Sequence, residues 1–349
     1  MTSFDESLHP RERSGEFAKK INSAPARGLA APAGDELPAA FHAVWDGPEE
    51  HAREAHARGL FTAIAEPADH DVVRALRDYG ADATLRALRS ERSDEEVAAE
   101  IGVEELGSVM RWRARLGDAE RVYRDAELAG LTLHTPAEGG IPARFAELGD
   151  TAPIALWVRG DADLLHDMDK SVSIEGSRAA TSYGSHAARE LGAKAAADGH
   201  VVVTGGSYGI GEDALRGSVA AGGRSVVILA SGADRPYPAG NGELFDAVVG
   251  RGGAVVSETP PGAAPTRWRF MARARLLGAA SAATIIVESG SRGGSLNTAE
   301  NAAALGRPVY AVPGPITSAA STGTNALIRD GKAKLLNSLD DLTGDAAHM

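Results

Sequence analysis

The chain has 349 residues, 43% of them apolar, a formal net charge of -12 and no cysteine. That length can bury a full core, while the missing cysteines exclude a disulfide framework, a thiolate metal site and a cysteine nucleophile. The acidic balance argues against general attraction to polyanions, so any phosphate site must be local; with no apolar leader and no 18-residue apolar run, a cytoplasmic location without membrane contact is expected.

Residues 1–50 join the mixed-charge run RERSGEFAKK to a Pro-, Gly- and Ala-rich stretch without period, which predicts a largely disordered arm. From 51 to 130 the pattern becomes helical. Ala63, Ile64, Val72, Val73, Leu76, Leu85 and Leu88 fall at three-to-four spacing, and Ser93-Asp94-Glu95-Glu96 has the form of a capping box ahead of Val97, Ile101 and Val103. A small helical domain is expected there. Its DEEVAAEIGVEEL segment resembles the opening of a helix-turn-helix, yet no basic recognition helix follows, so the segment reads as a bundle packing on its neighbour. Residues 131–161 form a connector, with short strands at 131–133 and 154–158 around a short helix at 142–148.

Beyond the connector, strands and helices alternate. The run Val172-Ser173-Ile174 breaks at Gly176-Ser177-Arg178, an Ala-rich helix spans 183–198, and a second strand, 201–204, ends at Gly205-Gly206. This is a βαβ unit. Strands at 224–229, 253–257, 283–288 and 308–312 then alternate with helices at 241–250, 269–280 and 295–306. Strands of nearly continuous Val, Ile and Ala argue for a parallel sheet covered on both faces. The expected fold class is α/β: an extended Rossmann-like, doubly wound and mostly parallel sheet over 131–340, preceded by the helical domain and followed by a tail at 341–349.

Three glycine-bearing loops fall at strand ends: Gly176-Ser177-Arg178, Gly205-Gly206-Ser207, and Arg292-Gly293-Gly294-Ser295 ahead of a helix. Glycine lets backbone approach a ligand, and the N–H groups opening a helix attract an anion. Together the loops predict a phosphate-sized trap at the carboxyl edge of the sheet. The G-x-G-x-x-G fingerprint is absent from the first turn, no acidic residue ends the second strand, and no G-x-x-x-x-G-K-[ST] occurs, so NAD binding and P-loop chemistry are disfavoured. The scattered histidines have no ligand spacing, and no metal or cofactor is expected. A second stretch, 266–275, places Arg267, Arg269, Arg273 and Arg275 around Trp268 and Phe270. Guanidinium groups that follow phosphates and rings that stack on bases are what a single-strand groove uses.

The same positions carry a family resemblance. Gly176-Ser177-Arg178, Thr204-Gly205-Gly206 with Gly209-Ile210, Gly232-x-Asp234-x-x-Tyr237-Pro238, Ser257-Glu258, Arg273-x-Arg275, Arg292-Gly293-Gly294-Ser295-Leu296-Asn297-Thr298-Ala299, Val312-Pro313-Gly314-Pro315 and Leu327-Ile328-Arg329-Asp330-Gly331 closely resemble the DNA processing protein A family, also called Smf. The resemblance spans about 52–337 and suggests a diverged actinobacterial or actinophage member. It implies a non-enzymatic protein that binds and protects single-stranded DNA, helps load the RecA recombinase, and forms a homodimer through its Rossmann-like domain. It also implies DNA contacts by Arg178, Arg267, Phe270 and Arg273. Departures from the family pattern fall at Gly211 and Leu215, where aspartate and histidine are usual, at Ala274 in place of asparagine, and at Glu175 in place of an apolar residue. Glu175 and Glu212 are expected to lower local affinity for phosphate. Two alternatives stay open: a nucleotide-derived small-molecule binder or phosphoribohydrolase-like enzyme, suggested by Gly293-Gly294-Ser295 with Thr298 and Glu300, and a phage or defence adaptor acting through protein contacts.

Overall fold

The computed structural model describes residues 36–342, and those from Leu37 onward form one compact unit. Seven helices come first: α1 (Ala39–Val44), α2 (Ala52–Ile64), α3 (His70–Asp78), α4 (Ala81–Arg89), α5 (Asp94–Glu100), α6 (Leu106–Ala119) and α7 (Arg121–Leu128). Their starts are chemically marked. The Asp69 carboxylate accepts from the backbone N–H groups of Asp71 and Val72, and Ser93 with Glu96 forms the expected capping box on α5.

Helix α1 falls inside the segment expected to be a disordered arm, whose remainder up to residue 35 lies outside the described residues. Six residues are too few to display a 3.6-residue period, which is why the surrounding Pro, Gly and Ala mask it. Packing decides instead: Phe41 is fully buried, stacked on Trp45 at 5.2 Å and edge-on to Tyr123 at 5.4 Å.

The sheet follows: β1 (Thr132–His134), β2 (Leu156–Gly160), β3 (Ser171–Glu175), α8 (Ser182–Ala197), β4 (Val201–Thr204), α9 (Ile210–Ala220), β5 (Ser225–Ile228), α10 (Gly242–Gly250), β6 (Ala254–Ser257), α11 (Arg267–Ala280), β7 (Ala283–Ile286), α12 (Ser295–Ala304), β8 (Val309–Ala311), α13 (Thr322–Arg329) and β9 (Lys334–Leu335). Strand order is β1-β2-β6-β5-β4-β3-β7-β8-β9; the pairs β1–β2 and β2–β6 are antiparallel and all others parallel. This is the doubly wound, mostly parallel sheet that the Val- and Ile-rich runs predict.

Period two in the strands assigns the faces. On one side Trp157, Val227 and Val255 join Phe41, Leu60, Phe61, Trp112 and Tyr123 in a single apolar cluster; on the other, Leu156, Val158, Val226 and Val256 pack against Leu276, Leu277 and Ala280 of α11. The helical layer expected to be a domain of its own therefore shares a core with the sheet. Trp157 Nε1 donates to Thr62 Oγ1 at 3.0 Å across that contact. At the far end of the chain, Leu339 is buried and Leu342 packs beside it, so packing continues to the last described residue.

Helices α8 and α9 meet backbone to backbone. A Cβ on Gly192 would stand 2.1 Å from the Ala214 carbonyl oxygen, and one on Gly217 2.1 Å from that of Arg189. Backbone is on both sides of the contact, so Gly217→Ala must push the helices apart, at a cost of about 1–3 kcal/mol. Urea unfolding reads this directly; a midpoint equal to the parent's would contradict the close approach.

Candidate nucleic-acid interface

Strand β3 continues to β4 on one side of the sheet, whereas its other neighbour, β7, continues to β8. The loops leaving β3 and β7 thus part in opposite directions and open a crevice, the switch point at which doubly wound sheets take ligands. Their bases are tied together. Val287 N donates to Glu175 O at 3.0 Å, Ser177 N to Glu288 O at 2.7 Å and Ile210 N to Ser177 O at 3.1 Å. The buried Glu288 carboxylate takes Thr181 N at 2.9 Å and Thr181 Oγ1 at 2.5 Å, which sets the angle at which α8 leaves the loop. Gly209 adopts φ +76°, and a Cβ there would lie 2.4 Å from Ser177 O, so the second loop closes on the first only through glycine.

The crevice encloses about 670 Å³. Gly176, Ser177 and Arg178 form one wall; Gly293, Gly294 and Ser295 form another; Arg267, Phe270 and Arg273 of α11 close a third side, with Ser207 at the end. Ten of the fourteen residues predicted from sequence are thereby brought together. Helix α12 opens with Gly294 at its N-cap and no side-chain cap; a Cβ at Gly294 would meet nothing within 4 Å, while Leu296 N and Asn297 N donate back to Gly293 O and Gly294 O at 3.1 and 3.2 Å. Arg178 is exposed and its guanidinium carbon sits 4.7 Å from the centre of the Phe270 ring, which Tyr237 meets edge-on at 5.7 Å.

Four predicted residues lie elsewhere. Gly205 and Gly206 are buried beneath the second loop, where Asn241 Nδ2 donates to Gly206 O at 3.0 Å. Arg292 is exposed on the loop before α12 but does not line the crevice. Arg275 points away: its Nη1 and Nη2 each reach Glu258 at 2.6 Å and its Nε reaches Thr151 O at 2.6 Å, all at 5% exposure. It is a structural residue, since one helical turn that aims Arg273 at the crevice necessarily aims its second neighbour elsewhere.

Arg273 itself lines the cavity and is hydrogen-bonded through Nη1 alone, its buried Nε having no partner among the described residues. Nη1 donates to Gly205 O at 2.9 Å, burial holds its pKa below the usual arginine range, and a Cβ on Gly205 would strike the guanidinium carbon at 2.4 Å. Nη1 thus holds the second loop, while Nε stays unpartnered beside the crevice. Next to the departure at Gly211, Glu212 is occupied by Arg216 at 2.8 Å, and Asp213 is buried and held by Arg189 at 2.7 Å. Met271, Ser289, Asn297 and Thr298 also line the cavity. Asn297 and Thr298, three and four residues beyond Gly294, share its helix face; that spacing was the available signal.

The family described as DNA recombination-mediator protein A matches residues 132–347. A putative DNA processing protein DprA of Mycobacterium tuberculosis is 35% identical over 308 residues, covering 84% of this chain and 76% of that protein. The X-ray structure of DNA processing protein A from Streptococcus pneumoniae is similar at a TM-score of 0.67 and 26% identity, over 83% of this chain and 97% of that one. DNA processing protein A from Helicobacter pylori, solved to describe its single-stranded DNA binding mode, is similar at a TM-score of 0.54 and 27% identity, over 60% and 93% of the two chains. With the family pattern running through the whole parallel sheet and its fold reproduced in two solved relatives, the chain belongs to the DNA recombination-mediator protein A family.

Proposed function

We propose that this protein binds single-stranded DNA at the switch-point crevice without cutting it, protects the strand, and helps load the RecA recombinase on it as a homodimer joined through the Rossmann-like domain. The observation that carries the reading is Arg178, an exposed guanidinium stacked on Phe270 at the crevice mouth, with no carboxylate partner among the described residues. A planar cation over a ring, beside the N-terminus of α12, suits alternating phosphates and bases. RecA loading and self-association rest on the family resemblance. Binding of the strand itself is supported also by the Helicobacter pylori relative, whose single-stranded DNA binding mode its structure describes. The phosphoribohydrolase-like alternative gains no support, because Glu300, the acid its motif requires, is exposed and does not line the crevice.

The test compares single- and double-stranded oligonucleotides of equal length by gel shift at two salt concentrations. Single-strand binding should fall with salt at a slope of about -0.7 for each phosphate contacted. Equal binding of duplex and single strand, or none of either, would sink the reading. The tryptophans offer a second probe. Trp45, Trp112 and Trp157 are buried, whereas Trp268, next to Arg267, is 73% exposed. Strand binding should quench its fluorescence, and Trp268→Ala should remove that quenching while weakening binding by about 1 kcal/mol, the low end for one stacked base, since one side of the ring stays in water.

A further inference from the structure

Outside the crevice, one carboxylate of the helical layer grips the first turn of α11. Residues 65–69 join α2 to α3, and Ala68 there adopts φ +60°, the only positive φ of a non-glycine among the described residues. An alanine keeps that backbone only where its surroundings impose it. Arg115 Nη1 of α6 donates to Ile64 O at 3.1 Å, Asp69 N donates to Glu66 O at 3.2 Å, and the loop shares a small cavity with Ala152, Ile154 and Glu258. Glu66 is therefore aimed. Its carboxylate takes Arg269 Nε at 2.9 Å and Arg269 Nη2 at 3.1 Å, with Arg115 Nη1 3.8 Å away. Arg269 also donates Nη1 to Ala264 O at 2.8 Å, and its backbone N–H to Thr266 Oγ1, at the N-cap of α11, at 3.2 Å. One guanidinium thus joins the helical layer, the approach to α11 and its first turn.

Resting on the single-stranded DNA reading, we propose that Glu66 is a positioning residue: from the helical layer it fixes the first turn of α11 so that Arg267 and Phe270 face the strand, without touching the strand itself. Neither Glu66 nor Arg269 lines the crevice, whereas Arg267 and Phe270 do. They sit two residues before and one after Arg269, so any rotation of that turn moves both. The ion pair adds little to global stability, because Glu66 is 50% exposed and water screens the charges. Its effect is directional. A planar guanidinium gripped at two nitrogens fixes the orientation of its helix, which a single point contact does not. By charge alone a carboxylate near a polyanion weakens binding, so positioning and plain electrostatics predict opposite signs for its removal.

The test uses the full chain and an oligothymidylate, with binding read by fluorescence polarisation across a salt series. Glu66→Ala should weaken binding about five- to tenfold and flatten the salt slope by about 0.7, one phosphate's share, although it removes a negative charge. Glu66→Gln has the same net charge as the alanine variant but keeps an oxygen for Arg269, so it should bind within about threefold of the parent. Arg269→Ala should match Glu66→Ala, and the double variant should be no weaker than the weaker single one. In the free protein, amide exchange at Phe270, whose N–H donates to Thr266 O at 3.1 Å, should quicken in Glu66→Ala while the urea midpoint stays near the parent's. Unchanged or tighter binding by Glu66→Ala would overturn the proposal and leave Glu66 a repelling charge. Equal affinities of the glutamine and alanine variants would overturn it as well, as would additive losses in the double variant, which would put Arg269 on the strand. If the parent binds no single strand, the reading beneath the proposal fails, a result distinct from a parent that binds and a Glu66→Ala variant that binds equally.

Discussion

Arg275→Ala is expected to destabilise the protein by about 3–5 kcal/mol, the cost of leaving one member of a buried ion pair without its partner. The pair is bidentate, both nitrogen–oxygen distances are 2.6 Å, and the two side chains are 6% and 7% exposed. The same guanidinium also satisfies Thr151 O and Ala272 O, so its removal leaves two further carbonyls short of a donor. Glu258→Ala should cost a similar amount, and a double replacement by Met and Leu should recover most of the loss, because two apolar groups of matching volume leave no lone charge behind. Urea unfolding of the two single variants and the double one measures this coupling. A loss below about 1 kcal/mol for Arg275→Ala would show that water reaches the site. Single-strand affinity of the folded variant should match the parent's, which separates Arg275 from the arginines of the crevice.

Arg178→Ala has the opposite profile: unfolding is little changed, and single-strand affinity falls by about 2–3 kcal/mol, or some 30- to 150-fold, as expected for a lost charge-assisted contact. The salt slope should flatten by about one unit, and the loss should be alike for every sequence, since the contact is to phosphate. Arg178→Lys should restore the slope but only part of the affinity, because an ammonium keeps the charge and loses the flat face that lies on Phe270. A variant that binds within threefold of the parent would remove Arg178 from the site. Arg273→Ala, by contrast, should act first on stability, through the Gly205 and Ile228 carbonyls that it holds.

Much of the molecule is legible in its residues. The βαβ unit around Gly176-Ser177-Arg178 stands out because buried parallel strands are continuous apolar runs, and the glycine loops at their ends mark one edge of the sheet. Helix α11 is recognisable as a basic and aromatic segment, yet its composition does not separate the arginines that line the crevice from Arg275, which is paired with Glu258. Charge in a sequence has no direction; only the helix's rotation against the sheet sends Arg267 to the crevice mouth, Arg273 beneath it, Arg269 to Glu66 and Arg275 to Glu258.

From the amino-acid order alone come the doubly wound sheet, the loops that end its strands and the residue types for holding a polyanion, because periodicity and glycine placement are local properties of the chain. Tertiary structure decides which cations remain available and which are spent on carbonyls and carboxylates, and that α1 and the helical layer share the sheet's core. Those outcomes depend on contacts between residues far apart in sequence, and burial then sets the energy of each charge.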